Sequence, residues 1–549
     1  DMKYEVTIEQ ALKFLNSNKP LEARKILDNL LSENPKNIQA KQLLVKYAFS
    51  QKNYQLAEKN LHDLIEIKPL NDNYINSLVS LYGHQKRWID IAALYLQLTE
   101  IQPSNATMYF NSAYYFKIAG EFSKAIQYYN KAMALGISQD YEVSLNLASI
   151  YSEHLSNTEK AIDILATAIK KHPDQDSLLY NLANIYEQLG NKEKAFTLFK
   201  KAFSENPQNY NALARQVDIY KISAKDGVLI TQVKSALKLN HMDSSNKINL
   251  AYALGKAYDD CSDYPLAFKY YQQANQLDQK TLPSYDPKAH EHYINNIIKT
   301  FSKSWYEKFV PPKADVFNTP PAFICGMFRS GSTLCEQILA SHSQISIGGE
   351  QEFFHRTITN SYANYPNINA EELNENKNEL LNAYKTEIQK QANNGKQLTD
   401  KRPDNFLYLG LIKALMPTAK IIWSKRAMLD NCLSVYFLRL GASMSYSTEL
   451  ENIVHFYKQQ EKLMSHWQSL FGDSLYEFNY DELIESPEKN IKQLLSFLEL
   501  PWESDCLDFY KIENQVKTAS VWQVRQPLYN RSSGRWKNYQ QFLKHLNKE

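Results

Sequence analysis

The chain has 549 residues, and 44% of them are hydrophobic, which is enough to fill the cores of two or three domains. Its 62 lysines and arginines nearly balance 60 aspartates and glutamates, so the net charge of +2 excludes a general electrostatic attraction to nucleic acid or to an anionic membrane. The 37 tyrosines and 24 phenylalanines far outnumber the 15 glycines, a composition that favours helices packed through aromatic side chains.

The five cysteines are widely spaced, and their number and spacing fit neither a disulfide framework nor a zinc site. The first residues contain no apolar signal segment, and the chain has no window of about 18 uncharged apolar residues. We therefore predict reduced thiols, no membrane span, no nucleic-acid partner and a cytoplasmic location.

The first half of the sequence repeats with a period of 34 residues. The intervals between successive prolines are 34, 34, 70 and 34 residues, and the longest has room for a repeat without a proline: Pro35, Pro69, Pro103, Pro173 and Pro207. The clearest copy has small, aromatic and proline residues at the offsets of a helix–turn–helix unit: Leu182, Ala183, Tyr186, Ala195, Phe199, Ala202 and Pro207. The same residue types recur in three other copies: Ala113, Ala125, Tyr129 and Ala132; Ala148, Ala161 and Ala168, with one extra residue in the turn; and Leu254, Gly255, Tyr258, Ala267, Tyr271 and Ala274.

This pattern weakens over 212–240, yet it resembles the tetratricopeptide repeat and predicts about eight helix pairs over residues 1–280. The resemblance implies a superhelix whose concave surface binds a protein or peptide, such as an acceptor. The array can instead serve as the dimerisation arm of a homodimer or as a packing support, because fold analogy names no partner. Residues 281–319, rich in proline around one helical stretch at 290–308, are predicted to connect the array to a second domain at 320–549.

A glycine-bounded loop follows an apolar run at 321–326, and its composition is typical of a phosphate cradle. Gly326 and Gly331 enclose four residues before Ser332 and Thr333, so the spacing matches the P-loop G-x-x-x-x-G-K-[ST] except for the lysine. The guanidinium of Arg329, the hydroxyls and the backbone N–H groups of a helix N-terminus can bind an oxyanion. The missing lysine argues against ATP or GTP hydrolysis and favours a 5′-phosphosulfate. An ordinary strand-to-helix turn is the alternative.

Strand-like and helix-like segments alternate after this loop. Two further strands are predicted, at 419–425 and 474–479, and helices at 332–342, 368–394, 406–416, 428–440, 448–469 and 486–498. This order predicts a doubly wound α/β domain with a parallel, P-loop-like sheet that binds ligands at the carboxyl ends of its strands.

Two segments of this domain resemble sulfotransferases, which use 3′-phosphoadenosine 5′-phosphosulfate (PAPS). The loop Arg329-Ser330-Gly331-Ser332-Thr333 resembles the family's binding loop for the 5′ side of PAPS. Arg426 at a strand end, with Ser434 eight residues later, resembles the pair that holds the ribose 3′-phosphate. For Arg426, capping of a helix near Asp430 is the alternative.

Further segments resemble the tyrosylprotein sulfotransferase branch. They are Gly348-Gly349-Glu350-Gln351-Glu352, Asp400-Lys401-Arg402-Pro403, Tyr480-Asp481-Glu482-Leu483, Ser520-Val521-Trp522-Gln523-Val524 and Arg535-Trp536. The resemblance implies that Glu350 is the catalytic base and that Lys401, together with Arg329, serves the reacting phosphosulfate. It also implies that Ser520 contacts the cofactor near the reaction, and that Tyr480 and Arg535 bind the nucleotide.

The resemblance covers about residues 320–540, and bacterial sulfotransferase-like proteins combine such a half with tetratricopeptide repeats. It implies PAPS-dependent sulfation, without a metal, of a tyrosine in a protein or peptide. The chain departs from the Golgi enzymes because it has no evident membrane anchor or disulfide pair, so a glycan or a small phenol stays an alternative acceptor. A P-loop kinase and a nucleotide-binding repeat scaffold without turnover are the rival classes.

The individual site residues also have structural alternatives. Lys401 and Arg402 can be a solvated basic pair, and Glu350 can be a helix-start carboxylate stabilised by the helix dipole. His342 and His355 have no metal-ligand spacing, so we expect them to pack or to face solvent.

Overall fold

A computed structural model of the chain describes residues 2–313, 316–391, 394–514 and 516–547. The chain forms two compact units, Asp1–Leu182 and Ala183–Glu549. The second unit contains the last repeats together with the α/β domain. The predicted boundaries at 280 and 319 mark changes in the sequence pattern, and as domain limits they stay a prediction.

Sixteen α-helices, α1 to α16, occupy the repeat region as eight consecutive pairs. Their bounds are Met2–Asn16, Pro20–Glu33, Ile38–Ser50, Tyr54–Ile67, Asp72–His84, Trp88–Thr99, Ala106–Ile118, Phe122–Ala134, Asp140–Ser149, Thr158–Lys171, Asp176–Gln188, Lys192–Glu205, Tyr210–Ile219, Val228–Leu237, Ser244–Asp260 and Tyr264–Gln279. A π-helical turn, Ile150–His154, follows α9 at the copy with the extra residue. The predicted helical repeat region is confirmed, and the number of about eight repeat units stays a prediction.

Small residues and helix caps explain why this sequence folds into paired helices. Asparagine side chains accept a hydrogen bond from the first turn of many of these helices: Asn37, Asn53, Asn71, Asn105, Asn157, Asn191 and Asn209. The alanines at the repeat positions are buried between helices. At Gly255 a Cβ atom would lie 2.6 Å from Cδ1 of Tyr271, so only glycine allows that pair of helices to pack so closely.

A five-stranded parallel sheet forms the centre of the α/β domain. Its strands, in chain order, are β1 (Ala322–Gly326), β2 (Ile345–Ser346), β3 (Gln397–Asp400), β4 (Ile421–Lys425) and β5 (Leu475–Asn479). The strand order is β2-β3-β1-β4-β5, and every neighbouring pair is parallel. The chain order therefore reverses direction at β1, where open α/β sheets bind their ligands.

Both faces of the sheet are covered, as in a doubly wound fold. Phe323 and Cys325 of β1 pack in one apolar core, whereas the alternate residues Ala322 and Ile324 pack in a second core. The predicted fold class is confirmed: a helical repeat array precedes a parallel-sheet α/β domain.

The described residues after the repeat region contain eleven further α-helices. Helices α17 to α27 span Pro287–Thr300, Lys303–Lys308, Ser332–Ala340, Phe353–Ser361, Ala370–Ile388, Leu409–Leu415, Met428–Tyr436, Leu450–Phe471, Tyr480–Glu485, Pro487–Phe497 and Gln540–Leu543. Short 3-10 turns cover Pro403–Leu407, Ala442–Thr448, Gly472–Ser474, Ser504–Lys511, Asn530–Ser532, Arg535–Tyr539 and Lys544–Asn547. None of the described helices is both long and apolar enough to cross a bilayer.

Two strands were not predicted from the sequence. Two predicted helices each correspond to two separate elements. Strand β2 has only two residues, and three of the four residues of β3 are polar, so neither shows the apolar run expected of a buried strand. The predicted helix 290–308 is two helices, because Ser302 caps the second one. The predicted helix 406–416 is a 3-10 turn followed by α22.

The last repeats share a core with the α/β domain. Apolar side chains of α13 to α16 pack with those of α23, α24 and the C-terminal residues Tyr539 and Leu543. Tyr271 of α16 stacks on Phe437, with ring centroids 3.9 Å apart. The repeats from Ala183 onward are thus built into the domain that carries the candidate site.

Candidate active site

The loop between β1 and α19 is held by close backbone packing. A Cβ atom at Gly326 would lie 2.3 Å from the carbonyl oxygen of Ser424 in β4, so this position requires glycine. Gly331 (φ 103°) and Arg329 (φ 67°) adopt left-handed backbone conformations that turn the chain into the helix. The buried hydroxyl of Ser330 lies 3.1 Å from that of Ser424 and ties the loop to β4.

A pocket lies where β1, β4 and β5 end at their carboxyl termini. It is lined by Arg329, Gly331, Leu334, Arg426, Ser434, Tyr480, Phe509, Ser520, Gln523, Val524, Gln526, Pro527, Leu528, Tyr529, Ser532 and Arg535. This set contains most of the residues that the sequence predicts to bind the nucleotide. The strand ends and the C-terminal segment therefore meet at one place, at the reversal point of the sheet.

Among the described residues, Arg329 donates its hydrogen bonds to neutral groups. Its Nε lies 3.1 Å from Oγ of Ser434, Nη1 lies 2.5 Å from Oγ of Ser520, and Nη2 lies 2.8 Å from Oε1 of Gln523. The sequence places Arg329 and Ser434 at opposite ends of a nucleotide. The two side chains are in contact in this structure, and their assignment to opposite ends of a nucleotide stays a prediction.

Arg426, at the end of β4, is buried and also pairs with neutral groups. Its Nη2 donates to the carbonyl oxygen of Ser532 at 2.6 Å, its guanidinium lies 5.0 Å from the ring centroid of Tyr480, and its Nε has no hydrogen-bond partner among the described residues. The alternative role as a helix cap near Asp430 is not seen. The carboxylate of Asp430 instead accepts hydrogen bonds from the backbone N–H groups of Gly534 and Trp536.

The pocket is strongly positive. Burial, followed by the charge of Arg426, lowers the pKa of Arg329 to about 10, and burial also lowers the pKa of Arg426. Arg535 differs because it has an acidic partner: burial lowers its pKa, but the charges of Asp259, Tyr271 and Tyr539 and the hydrogen bond to Asp259 together raise it overall. Two arginines that face the pocket thus lie without an ion pair to any described carboxylate, an arrangement suited to an anion.

A second cluster lies in the loop after β2 and at the end of β3. The Nζ of Lys401 donates to Oε1 of Glu350 at 2.6 Å, and the side chain of Lys401 is 2% exposed while that of Glu350 is 43% exposed. Lys401 is therefore not part of a solvated basic pair, and Glu350 precedes α20 rather than starting it. The neighbouring Arg402 instead pairs with Glu352 and Asp404.

Buried polar groups hold this loop in place through hydrogen bonds. Oε1 of Glu336 accepts hydrogen bonds from Oγ1 of Thr399 at 2.6 Å and from the N–H of Gly349 at 3.2 Å. Burial raises the pKa of Glu336, and it raises the pKa of Asp400 to about 8. The sequence gives no motif for Glu336 or Thr399, whose contacts fix the backbone next to Glu350.

Gly348 provides a stability test of this loop. A Cβ atom at Gly348 would lie 1.8 Å from the carbonyl oxygen of Thr399, whereas one at Gly349 would meet no atom within 4 Å. We expect Gly348→Ala to lower the free energy of unfolding by at least about 3 kcal/mol, because strand backbone cannot move aside as a side chain can. Gly349→Ala should cost only about 1–2 kcal/mol, since it strains a positive φ alone. Denaturant melts of both variants check this, and equal costs would contradict the close approach at Gly348.

The structure does not bring all predicted residues into one place. Ser332 and Thr333 begin α19 and are buried beside the pocket, where Oγ1 of Thr333 lies 3.2 Å from Oγ1 of Thr518. Glu350 and Lys401 form their own pair and are not among the residues that line the pocket. The roles of all these residues stay predictions.

Some pocket residues carried a sequence signal and others did not. Gln523 stands in the segment that resembles the family's S-x-x-Q-V element and could have been named from it. Tyr529 and Ser532 match no quoted motif, so only the path of the C-terminal segment brings them to the pocket.

The histidines near the site take part in packing. Nε2 of His342 lies 2.8 Å from the carbonyl oxygen of Pro501, and Nδ1 of His355 lies 2.8 Å from the hydroxyl of Tyr408. Within the described residues no group of three or more His, Cys, Asp or Glu side chains could hold a metal ion. All five cysteines are free thiols.

Comparison with known proteins finds similarity in both parts of the chain. Residues 320–504 match the sulfotransferase family, and residues 155–217 match the tetratricopeptide repeat. A protein of Aquifex aeolicus (strain VF5) named "Uncharacterized protein" is 32% identical over 331 residues, which cover 57% of this chain and 43% of that protein. The chain thus spans less than half the length of that relative.

Two other similarities are to proteins with sulfotransferase in their names. A protein of Caenorhabditis briggsae named "Putative protein-tyrosine sulfotransferase" is 25% identical over 204 residues, which cover 35% of this chain and 69% of that protein. The sulfotransferase domain of the olefin synthase from Synechococcus PCC 7002 is 17% identical, with a TM-score of 0.31, and covers 44% of this chain and 98% of that domain.

Proposed function

We propose that this chain, in which tetratricopeptide repeats precede a sulfotransferase domain, transfers a sulfuryl group from PAPS to an acceptor hydroxyl. The observation that carries the proposal is the pocket at the reversal point of the sheet, where Arg329 and Arg426 face inward without a carboxylate partner among the described residues. Buried cationic groups are costly unless an anion compensates them. A nucleotide with two separate phosphate-like groups provides that compensation.

The pocket lining suits adenosine 3′,5′-bisphosphate, the nucleotide part of PAPS. Arg426 and Ser434 form one basic subsite for a phosphate, and Arg329 with the amides at the N-terminus of α19 offers a second place for an anion. Tyr480 and Phe509 provide aromatic surface for a base. Each of these residues is proposed to hold substrate, and none needs a metal for that role.

The pair of Glu350 and Lys401 is proposed to serve the transfer step. The carboxylate of Glu350 takes the proton of the acceptor hydroxyl, the hydroxyl oxygen forms a bond to sulfur, and the bond from sulfur to the 5′-phosphate oxygen breaks with its electron pair on the phosphate. Lys401 and Arg329 stabilise the negative charge on the sulfuryl oxygens and on the leaving phosphate. The ion pair at 2.6 Å keeps the ammonium next to the base.

The acceptor is proposed to be a tyrosine of a protein or peptide. The printed name of the Caenorhabditis briggsae relative supports this choice over a glycan or a small phenol. The repeats are proposed to bind the acceptor or a partner protein. In the first compact unit, α3, α4 and α5 line a pocket whose polar and aromatic side chains suit an extended polypeptide: Phe49, Tyr54, Asn73, Asn76, Ser77, Ser80, Leu81, His84 and Gln85.

The test is incubation with PAPS labelled in its sulfuryl group and with three acceptor classes: tyrosine-containing polypeptides, glycans and small phenols. We expect label on polypeptide tyrosine, in the presence of a chelator and without added magnesium. Label on a glycan or a phenol would replace the acceptor assignment while keeping sulfotransfer. Binding of PAPS without transfer to any class would favour the repeat scaffold, and phosphoryl transfer from ATP would favour the kinase.

A further inference from the structure

The C-terminal segment, defined here as residues 516–539, supplies much of the pocket but has little regular structure. It contributes Ser520, Gln523, Val524, Gln526, Pro527, Leu528, Tyr529, Ser532 and Arg535 to the lining. Its described residues form turns and short 3-10 segments, with no α-helix or strand. Its conformation must therefore be set by what it packs against.

The C-terminal end of α15, next to the turn before α16, is one place that holds this segment. The buried carboxylate of Asp259 accepts a hydrogen bond from Nη2 of Arg535 at 2.7 Å and another from the hydroxyl of Tyr539. Its neighbour Asp260 lies 3.3 Å from Nη2 of Arg531. Charge-assisted contacts from a repeat thus fix the end of the segment that carries Arg535 into the pocket.

The turn between α11 and α12 holds the other end. Oε2 of the buried Glu187 accepts from Nε1 of Trp522 at 3.1 Å. The carbonyl oxygen of Gln188 accepts from the N–H of Val516 and from Nη2 of Arg525, each at 2.9 Å. A Cβ atom at Gly190 would lie 2.9 Å from Nε of Arg525, so the turn and the segment are in close contact.

We infer that the last repeats are part of the nucleotide site, because the C-terminal ends of two of their helices hold the C-terminal segment in the shape that completes the pocket. Asp259 is then a positioning residue: it contacts no nucleotide itself and acts through Arg535. The expected effect of Asp259 on nucleotide affinity rests on the proposed function. The attachment of the C-terminal segment to the repeats can be tested without nucleotide.

The test compares Asp259→Asn with Asp263→Asn in the full chain. Asp263 lies in the turn between α15 and α16, where it caps α16 and pairs with Lys225 at 2.8 Å. None of its described hydrogen bonds reaches the C-terminal segment. In the nucleotide-free protein we expect faster hydrogen exchange over 516–539 for Asp259→Asn and no change there for Asp263→Asn. With adenosine 3′,5′-bisphosphate, calorimetry should give a Kd about tenfold higher for Asp259→Asn alone, the loss expected for one charge-assisted contact.

Trp522→Phe is a second variant in case Asp259→Asn does not fold. It keeps the aromatic ring and removes the N–H that Glu187 accepts, so exchange should rise near residue 522. Unchanged exchange over the segment in both variants would overturn the inference, whatever the affinity. A wild-type chain that binds no adenosine 3′,5′-bisphosphate would overturn the proposed function instead, and the exchange result would still decide the attachment.

Discussion

Replacing Glu350 with glutamine should lower the rate of sulfuryl transfer by at least about a hundredfold, because loss of a general base typically costs about 10²–10⁴-fold. The substitution keeps the shape of the side chain and its contact to Lys401 but removes the proton acceptor. Glu350 lies outside the arginine-lined pocket, so the affinity for adenosine 3′,5′-bisphosphate should stay within a few-fold of wild type. Single-turnover transfer from labelled PAPS and calorimetry measure the two quantities.

Glu352→Gln is the matched control for this prediction. Glu352 is a neighbouring exposed carboxylate that also pairs with a basic residue, Arg402. Its replacement should leave transfer within a few-fold of wild type. Transfer by Glu350→Gln within a few-fold at neutral pH would show that Glu350 is not the base, and a large loss in Glu352→Gln would make Glu352 the candidate.

Much of the fold could be predicted because its signals are local. The 34-residue period fixed the helix pairs, since each pair buries small residues against its neighbour, and the apolar runs of β1 and β4 marked the centre of the sheet. The cradle between Gly326 and Gly331 was also visible, because its close approaches require glycine at fixed spacing. These features depend on residues near each other in the chain.

The parts that could not be predicted depend on distant contacts. Arg535 and Asp259 are 276 residues apart, and no period or motif joins them. The direction of the Arg329 side chain toward Ser434 depends on a positive φ at a residue that is not glycine, which sequence patterns do not indicate. Strand β3 was not predicted because three of its four residues are polar, although Lys401 follows its end.

Replacing Arg426 with glutamine should raise the Kd for adenosine 3′,5′-bisphosphate by about a hundredfold or more. Arg426 is a buried cation at the pocket, and loss of one partner of a desolvated charge contact typically costs about 2–5 kcal/mol. The affinity for AMP should change little, because Arg426 and Ser434 are assigned to the 3′-phosphate that AMP lacks. Calorimetry with both nucleotides checks this expectation.

Lys425→Gln is the matched control. Lys425 precedes Arg426 at the end of β4, but its Nζ lies 3.3 Å from Oε1 of Glu461 and it does not line the pocket. Lys425→Gln removes one positive charge, as Arg426→Gln does. Comparing the two variants therefore separates the loss of a local contact from the loss of net charge near the site. Equal losses of affinity in the two variants would mean that Arg426 acts only through net charge.

The most direct test of the pocket is calorimetry on the unaltered chain with adenosine 3′,5′-bisphosphate and with AMP, both in excess chelator. Arg426, which has no ion pair to a described carboxylate, and Ser434, which lines the same pocket, should favour the additional 3′-phosphate by at least about tenfold in Kd. That selectivity, without magnesium, is the result we expect of a PAPS-dependent sulfotransferase. Equal affinity for the two nucleotides would contradict the 3′-phosphate subsite, and with it the assignment of PAPS as the sulfuryl donor.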